Sequence, residues 1–170
     1  MALGLDMVLD NKKVYLLLGS NLGDREQVIE DAIAQIGTEI GKVFIVSSFY
    51  ETAAWGKEDQ PPFVNVAVGL ETSLGPLQVL NKALEIEKGL GRVRYEKWGS
   101  RLIDIDVILY GDQIVELENV LHIPHPQMQF RKFVLVPLAE IAGNIVHPVL
   151  QKSISNILEN LRDDLSVLKF

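Results

Sequence analysis

Residues 98–110 read WGSRLIDIDVILY. Most of this stretch has the look of a buried β-strand, yet Asp104 and Asp106 stand in its middle. Alternate side chains of a strand share a face. The two carboxylates therefore point the same way, with Cα atoms roughly 6.5–7 Å apart. Ile103, Ile105, Val107 and Leu109 take the opposite face and anchor the strand in a core. Two ionised carboxylates at this spacing repel, so one pKa is expected to rise unless a cation neutralises the pair. Mg²⁺ takes oxygen ligands and commonly uses one or two carboxylates plus substrate phosphates. The plain alternative is a solvated sheet face, which the low strand preference of Asp weakens.

The segment leading into this strand is basic. Between Lys88 and Arg101 lie Lys88, Arg92, Arg94, Lys97 and Arg101 against a single acid, Glu96. The whole chain carries a net charge of −7, which argues against general nucleic-acid affinity. A basic island in an acidic chain suits a small anion, although a solvated loop has the same composition. Arg92, Arg94 and Arg101 offer forked donors matched to phosphate oxygens, and His125 in IPHPQM can donate to another. GSNLGD (19–24) bears glycines but lacks the Lys-Ser/Thr of a P-loop.

Working outward, VYLLLGS (14–20) reads as a buried strand. Asp24 is placed to cap a helix running to about Ile36, with Gly37 as its stop. Residues 42–52 read as a second strand and 53–62 as a loop ending in two prolines. FVNVAVGLET (63–72) is a third strand, with Phe63, Asn65, Ala67 and Gly69 on one face. Thr72 or Ser73 is expected to cap a helix with Leu77, Leu80, Leu84 and Glu87 on one side. FVLVPLAEIAG fits a strand or a strand-to-helix passage, and a helix with Ile154, Ile157, Leu158 and Leu161 closes the chain. The order predicts an α+β fold: a ferredoxin-like βαββαβ sandwich with an antiparallel sheet and C-terminal additions. Helices on one face of that sheet leave the other for a ligand. Asn65, polar in an apolar alternation, offers paired donor and acceptor groups to a flat heterocycle. Phe63 and Phe133 offer stacking surfaces.

At 170 residues, with nearly half of them apolar, one domain is expected. Residues 1–12 read as an extension and 13–170 as the domain. With no Cys there is neither a disulfide framework nor a thiolate metal site. The N-terminus lacks the pattern of a signal peptide, and no apolar run approaches the ~18 residues of a membrane span. The expectation is a cytoplasmic protein that meets neither membrane nor nucleic acid.

KWGSRLIDIDVIL (97–109) resembles the signature of the 6-hydroxymethyl-7,8-dihydropterin pyrophosphokinases of folate biosynthesis. LGSNLGDR, VSSFYET, DQPPFVNVAV, GRVR and IPHPQM, followed by Arg131 and Phe133, fall in that family's order from about Val14 to Leu161. The resemblance implies an enzyme that moves the pyrophosphoryl group of ATP to the pterin hydroxymethyl oxygen and releases AMP. It implies that Asp104 and Asp106 hold two Mg²⁺ ions. It implies that Arg92, Arg94 and Arg101 are catalytic, and that with Glu87, Trp98, His125 and Arg131 they serve the nucleotide. It further implies that Thr52, Ala53, Trp55, Phe63, Asn65 and Phe133 serve the pterin, and that other folate-pathway enzymes are possible partners. Several positions depart from the family pattern. Ala53 and Ala54 stand where prolines are common, Phe63 replaces a frequent Tyr, and Pro126 follows His125 in place of one. The competing class is a non-enzymatic ferredoxin-like module that binds a small ligand, which needs no acid pair beside three arginines.

Overall fold

The computed structural model describes residues 11–52, 61–91 and 102–170. β1 (Lys12–Ser20) is the centre of the molecule. Its pattern is continuously buried from Val14 onward, because both of its faces are covered. It pairs antiparallel with β4 (Phe63–Thr72) on one side and with β5 (Asp104–Tyr110) on the other. The far edge of β4 is shared by β2 (Lys42–Val46) and β3 (Tyr50–Thr52), and β3 in turn pairs with β8 (Val167–Lys169). The result is a six-stranded antiparallel sheet with β5 at one end and β8 at the other. A separate hairpin, β6 (Val115–Leu117) and β7 (Leu121–Ile123), follows β5. The fold is α+β, as expected, and with β2 and β3 taken together the elements up to β5 follow the βαββαβ order. Lys12, assigned to the extension on sequence, is the first residue of β1.

The expected second strand, 42–52, is two strands. At the break the Ser47 hydroxyl accepts from Ala67 N–H at 2.9 Å, while Ser48 donates its N–H and hydroxyl to Glu140. Side-chain oxygens take over ladder positions there, and the strand cannot continue.

Helix α1 (Arg25–Glu39) starts where expected, with the Asp24 carboxylate accepting from Gln27 N–H at 3.1 Å. It does not stop at Gly37. The chain turns at Gly41, where an added Cβ would lie 2.1 Å from the Glu71 carbonyl. Close approach to β4, and not helix-breaking tendency, is what demands glycine here. Helix α2 (Pro76–Gly89) is capped by Gly75, with Gln78 Oε1 accepting from the Gly75 N–H at 2.8 Å. Neither Thr72 nor Ser73, the expected caps, fills that place, and Thr72 instead donates to the Ile40 carbonyl and accepts from Leu74 N–H. The inward stripe of α2 is Val79, Ala83, Ile86 and Glu87, whereas Leu77 and Leu84 are exposed. The two stripes are equally regular, so periodicity alone does not choose between them.

The sheet has two cores. On one face α1 and α2 cover Leu16, Leu18, Val66, Val68, Ile105 and Val107. On the other, α3 (Lys132–Ala142) and the short α4 (Ile154–Glu159) cover Tyr15, Leu17, Ala67, Ile108 and Leu109. The sequence-based expectation of one uncovered face is therefore corrected, since half of that face is a second core. Leu109 also changes sides. Tyr15 pairs with Leu109 but Leu16 pairs with Val107, so Ile108 is an extra residue. That bulge reverses the alternation beyond Val107 and sends Leu109 to the second core and Tyr110 to the first. FVLVPLAEIAG is helical despite Pro137. α4 ends at Glu159, short of Leu161, which packs against the second core from beyond the helix.

Candidate active site

Among the described residues, the second core of this face ends past Leu17 and Ala67, at one end of the sheet. The register brings Asp104, Gly19, Asn65 and Tyr50 into a row across β5, β1, β4 and β3. Strands are spaced about 4.8 Å apart, so Asp104 and Asn65 are separated by roughly 10 Å along this row. One step inward, Asp106 lies beside Leu17 and Ala67, at the edge of the second core. One step outward on β4 is Phe63, paired with Thr52. The two aspartates therefore share a face, half-buried, with the apolar anchor behind them.

Gly19 makes this row possible. A Cβ there would stand 2.7 Å from Asn65 Oδ1 and 3.7 Å from Phe63 Cδ1. The amide of Asn65, which is buried, and the ring of Phe63 both occupy the space that a side chain at position 19 would take. Sequence reasoning missed Gly19. The available signal was a glycine ending a β-branched and leucine-rich strand next to the polar residue of its partner.

Three more candidates reach the site from the segment after β7. His125 follows the Ile123-Pro124 peptide, which is cis, and its N–H donates to the Ile108 carbonyl at 3.0 Å. Its Nδ1 accepts from Gln127 N–H at 3.2 Å. Burial, and then the charge of Arg131, push its pKa down to about 4, and nearby Asp104 opposes this only partly. The ring is therefore neutral near pH 7, and with Nδ1 accepting, the proton sits on Nε2. His125 is a neutral donor beside Asp104 and Arg131. The Arg131 guanidinium lies 5.7 Å from the centroid of the Phe133 ring, within cation–π range. Phe133 occupies the first turn of α3.

Glu87 behaves otherwise. It is 3% exposed, on the core side of β5, and its Oε2 accepts from Ile105 N–H at 2.6 Å. The structure places it behind the aspartates as a support for their strand. Thr52 is also buried, and its hydroxyl donates to the Ser166 carbonyl at 3.0 Å. Ala53, Trp55, Arg92, Arg94, Trp98 and Arg101 lie outside the described residues. Among the described residues no group of three or more His, Cys, Asp or Glu side chains could hold a metal ion. Among the described residues the carboxylates on this face are Asp104 and Asp106, a set that would suit a hard cation whose remaining ligands are phosphate and water and not a closed zinc site.

A family model described as 7,8-dihydro-6-hydroxymethylpterin-pyrophosphokinase (HPPK) matches residues 15–143, a span that contains every one of these positions. The chain belongs to the HPPK family. Among curated HPPK relatives, the 2-amino-4-hydroxy-6-hydroxymethyldihydropteridine pyrophosphokinase of Aquifex aeolicus is 42% identical, over 82% of this chain and 86% of its own. The enzyme of that name from Bacillus subtilis is 43% identical, over 79% of this chain and 81% of its own. The folic acid synthesis protein fol1 of Pneumocystis carinii is 43% identical over 91% of this chain, which spans only 21% of that longer protein. A crystal structure of Plasmodium falciparum HPPK-DHPS with pterin and p-hydroxybenzoate superposes with a TM-score of 0.71 at 17% identity. It covers 88% of this chain and 42% of that one. That likeness speaks for the HPPK fold, and the curated relatives speak for the family. Among the described residues no helix is long and apolar enough to cross a membrane.

Proposed function

We infer that this chain transfers the β,γ-pyrophosphoryl group of ATP to the hydroxymethyl oxygen of 6-hydroxymethyl-7,8-dihydropterin, in folate biosynthesis. The pterin oxygen attacks the β-phosphorus and loses its proton. The bond from that phosphorus to the oxygen bridging to the α-phosphate breaks, and AMP leaves with the electron pair. The observation that carries this reading is the row Asp104–Gly19–Asn65, which sets an acid pair and a heterocycle-reading amide on one face, roughly 10 Å apart.

Each residue then has a task. Asp104 and Asp106 would hold two Mg²⁺ ions, which when bound neutralise the phosphates and polarise the β-phosphorus. Asn65 orients the pterin edge, with Phe63 and Phe133 stacking on the ring and Thr52, Ala53 and Trp55 completing that wall. His125 donates from Nε2 to a phosphate oxygen without adding charge. Arg131, together with Arg92, Arg94, Trp98 and Arg101, holds the nucleotide, and the arginines balance charge as the pyrophosphoryl group moves. Catalysis is then mainly positioning and electrostatics. Residues 13–170, with Lys12 at the start of β1, act as one domain in the cytoplasm, and HPPK-DHPS chains support a partner from the same pathway.

The test is an assay of AMP formation from ATP. It should require the hydroxymethyl pterin and Mg²⁺ together, and stop when EDTA is added. AMP release at the same rate without the pterin would overturn the reading.

A further inference from the structure

Arg25, the first residue of α1, ties together three segments that meet at the ring-binding end of the cleft. Its Nη1 donates to the Pro62 carbonyl at 2.9 Å and pairs with Glu51 Oε2 at 2.9 Å. Glu51 is in β3 and Pro62 immediately precedes β4. Each is one residue from the register pair Thr52–Phe63. Proline has no N–H, so Pro61 and Pro62 cannot be tied down by donating to a neighbouring strand. They are held through their carbonyls instead. Buried Asn21 donates its Nδ2 to the Pro61 carbonyl at 3.1 Å, and Arg25 takes the next one. Phe63 follows directly, and its ring must settle against Gly19 beside Asn65.

We propose that Arg25 is a positioning residue for the pterin: its bridge from Glu51 to Pro62 sets the Phe63 ring and the Asn65 amide without touching either substrate. This rests on the pyrophosphokinase reading above. An exposed ion pair by itself contributes little. Here one guanidinium nitrogen meets a carbonyl at the start of one strand and a carboxylate on another, which links their positions as well as their charge. Lysine carries its charge as a more strongly hydrated ammonium on a flexible stem, which holds the two partners less firmly. Asp104 and Asp106 are on β5, with β1 between them and the strands that the bridge joins, so the nucleotide half is left unaffected.

The experiment compares the full-length wild type with R25M, R25K and E51Q. It measures KM for pterin and for ATP, and pterin affinity by its fluorescence in the presence of Mg²⁺ and a non-hydrolysable ATP analogue. R25M should raise the pterin KM and weaken pterin affinity about five- to ten-fold. Its KM for ATP should stay within about two-fold of wild type. R25K should shift in the same direction by less, and it decides the matter if R25M fails to fold. E51Q in the R25M background should add little, because the two share one interaction. A general loss of stability would move both KM values together, and that result overturns the proposal. So does an active R25M or R25K with unchanged pterin KM, which leaves the pyrophosphokinase reading standing. An inactive wild type overturns both.

Discussion

The Glu87 carboxylate on α2 accepts a hydrogen bond from Ile105 N–H at 2.6 Å, and Ile105 is the residue between the two aspartates of β5. Among the described residues β5 is the end strand of the sheet and has no strand partner on its outer side. A buried acid from the neighbouring helix supplies the acceptor. It thereby holds the residue that both aspartates flank. E87Q keeps an acceptor of the same size and should fold with little loss. E87A leaves the Ile105 N–H buried without its acceptor and should cost about 1–3 kcal/mol. Urea unfolding reads the stability, and Mg²⁺ titration of AMP formation should show a raised half-saturation in E87A. Wild-type values of both in E87A would contradict this support role.

The acid pair has a sharper consequence. D104N and D106N each retain shape and the apolar anchor formed by Ile103, Ile105 and Val107. Circular dichroism and thermal midpoint should stay near wild type, while kcat falls by at least about 10²–10³-fold. A near-normal kcat in either variant would remove that aspartate from the chemistry.

Gly19 allows function and stability to be separated. In G19A the new Cβ collides at 2.7 Å with Asn65 Oδ1, the end of a side chain that is able to swing away. The fold should survive, at a cost of about 1–3 kcal/mol, but the amide leaves its place in the row. Pterin affinity should drop by about an order of magnitude or more, as expected for one lost polar contact in a buried site. Calorimetry with pterin and an ATP analogue checks this. Unchanged pterin affinity in a folded G19A would show that the amide position is unimportant.

His125 makes the apo protein acid-sensitive in a defined window. Its folded pKa of about 4 lies below the ordinary 6.5. As pH falls below about 6.5 the unfolded chain takes up this proton and the native chain does not. Stability is therefore fully present above that pH and is lost progressively down to about 4. Between pH 7 and 4 the wild type should lose about 2 kcal/mol more than H125N, allowing for solvent at the partly exposed ring. NMR titration of the His125 ring should have its midpoint near 4. A midpoint near 6.5 would mean that the ring is charged at the lower end of the physiological range and does not act as a neutral donor.

Much of this site was legible in the sequence because strand alternation is local. Asp104 with Asp106, and Phe63 with Asn65, follow from a period of two and need no knowledge of neighbours. The Asp24 cap was legible for the same reason, since its partner is Gln27 on the next turn. Most of the failures are non-local. Nothing within residues 42–52 announces that Ser47 and Ser48 will bond to β4 and α3. The stripe of α2 cannot be chosen without knowing where the sheet lies.

The sequence by itself therefore determined that Asp104 shares a face with Asp106 and Phe63 with Asn65, and the α+β order. Only the tertiary structure decided which strands stand side by side. It placed Asp104, Gly19 and Asn65 in one row, used Ile108 as a bulge to turn Leu109 into a second core, and put Glu87 behind the aspartates. The physical reason is that register and close approach depend on backbone distances between segments tens of residues apart. Those distances are set by the packing of two cores against one sheet, and no local pattern encodes them.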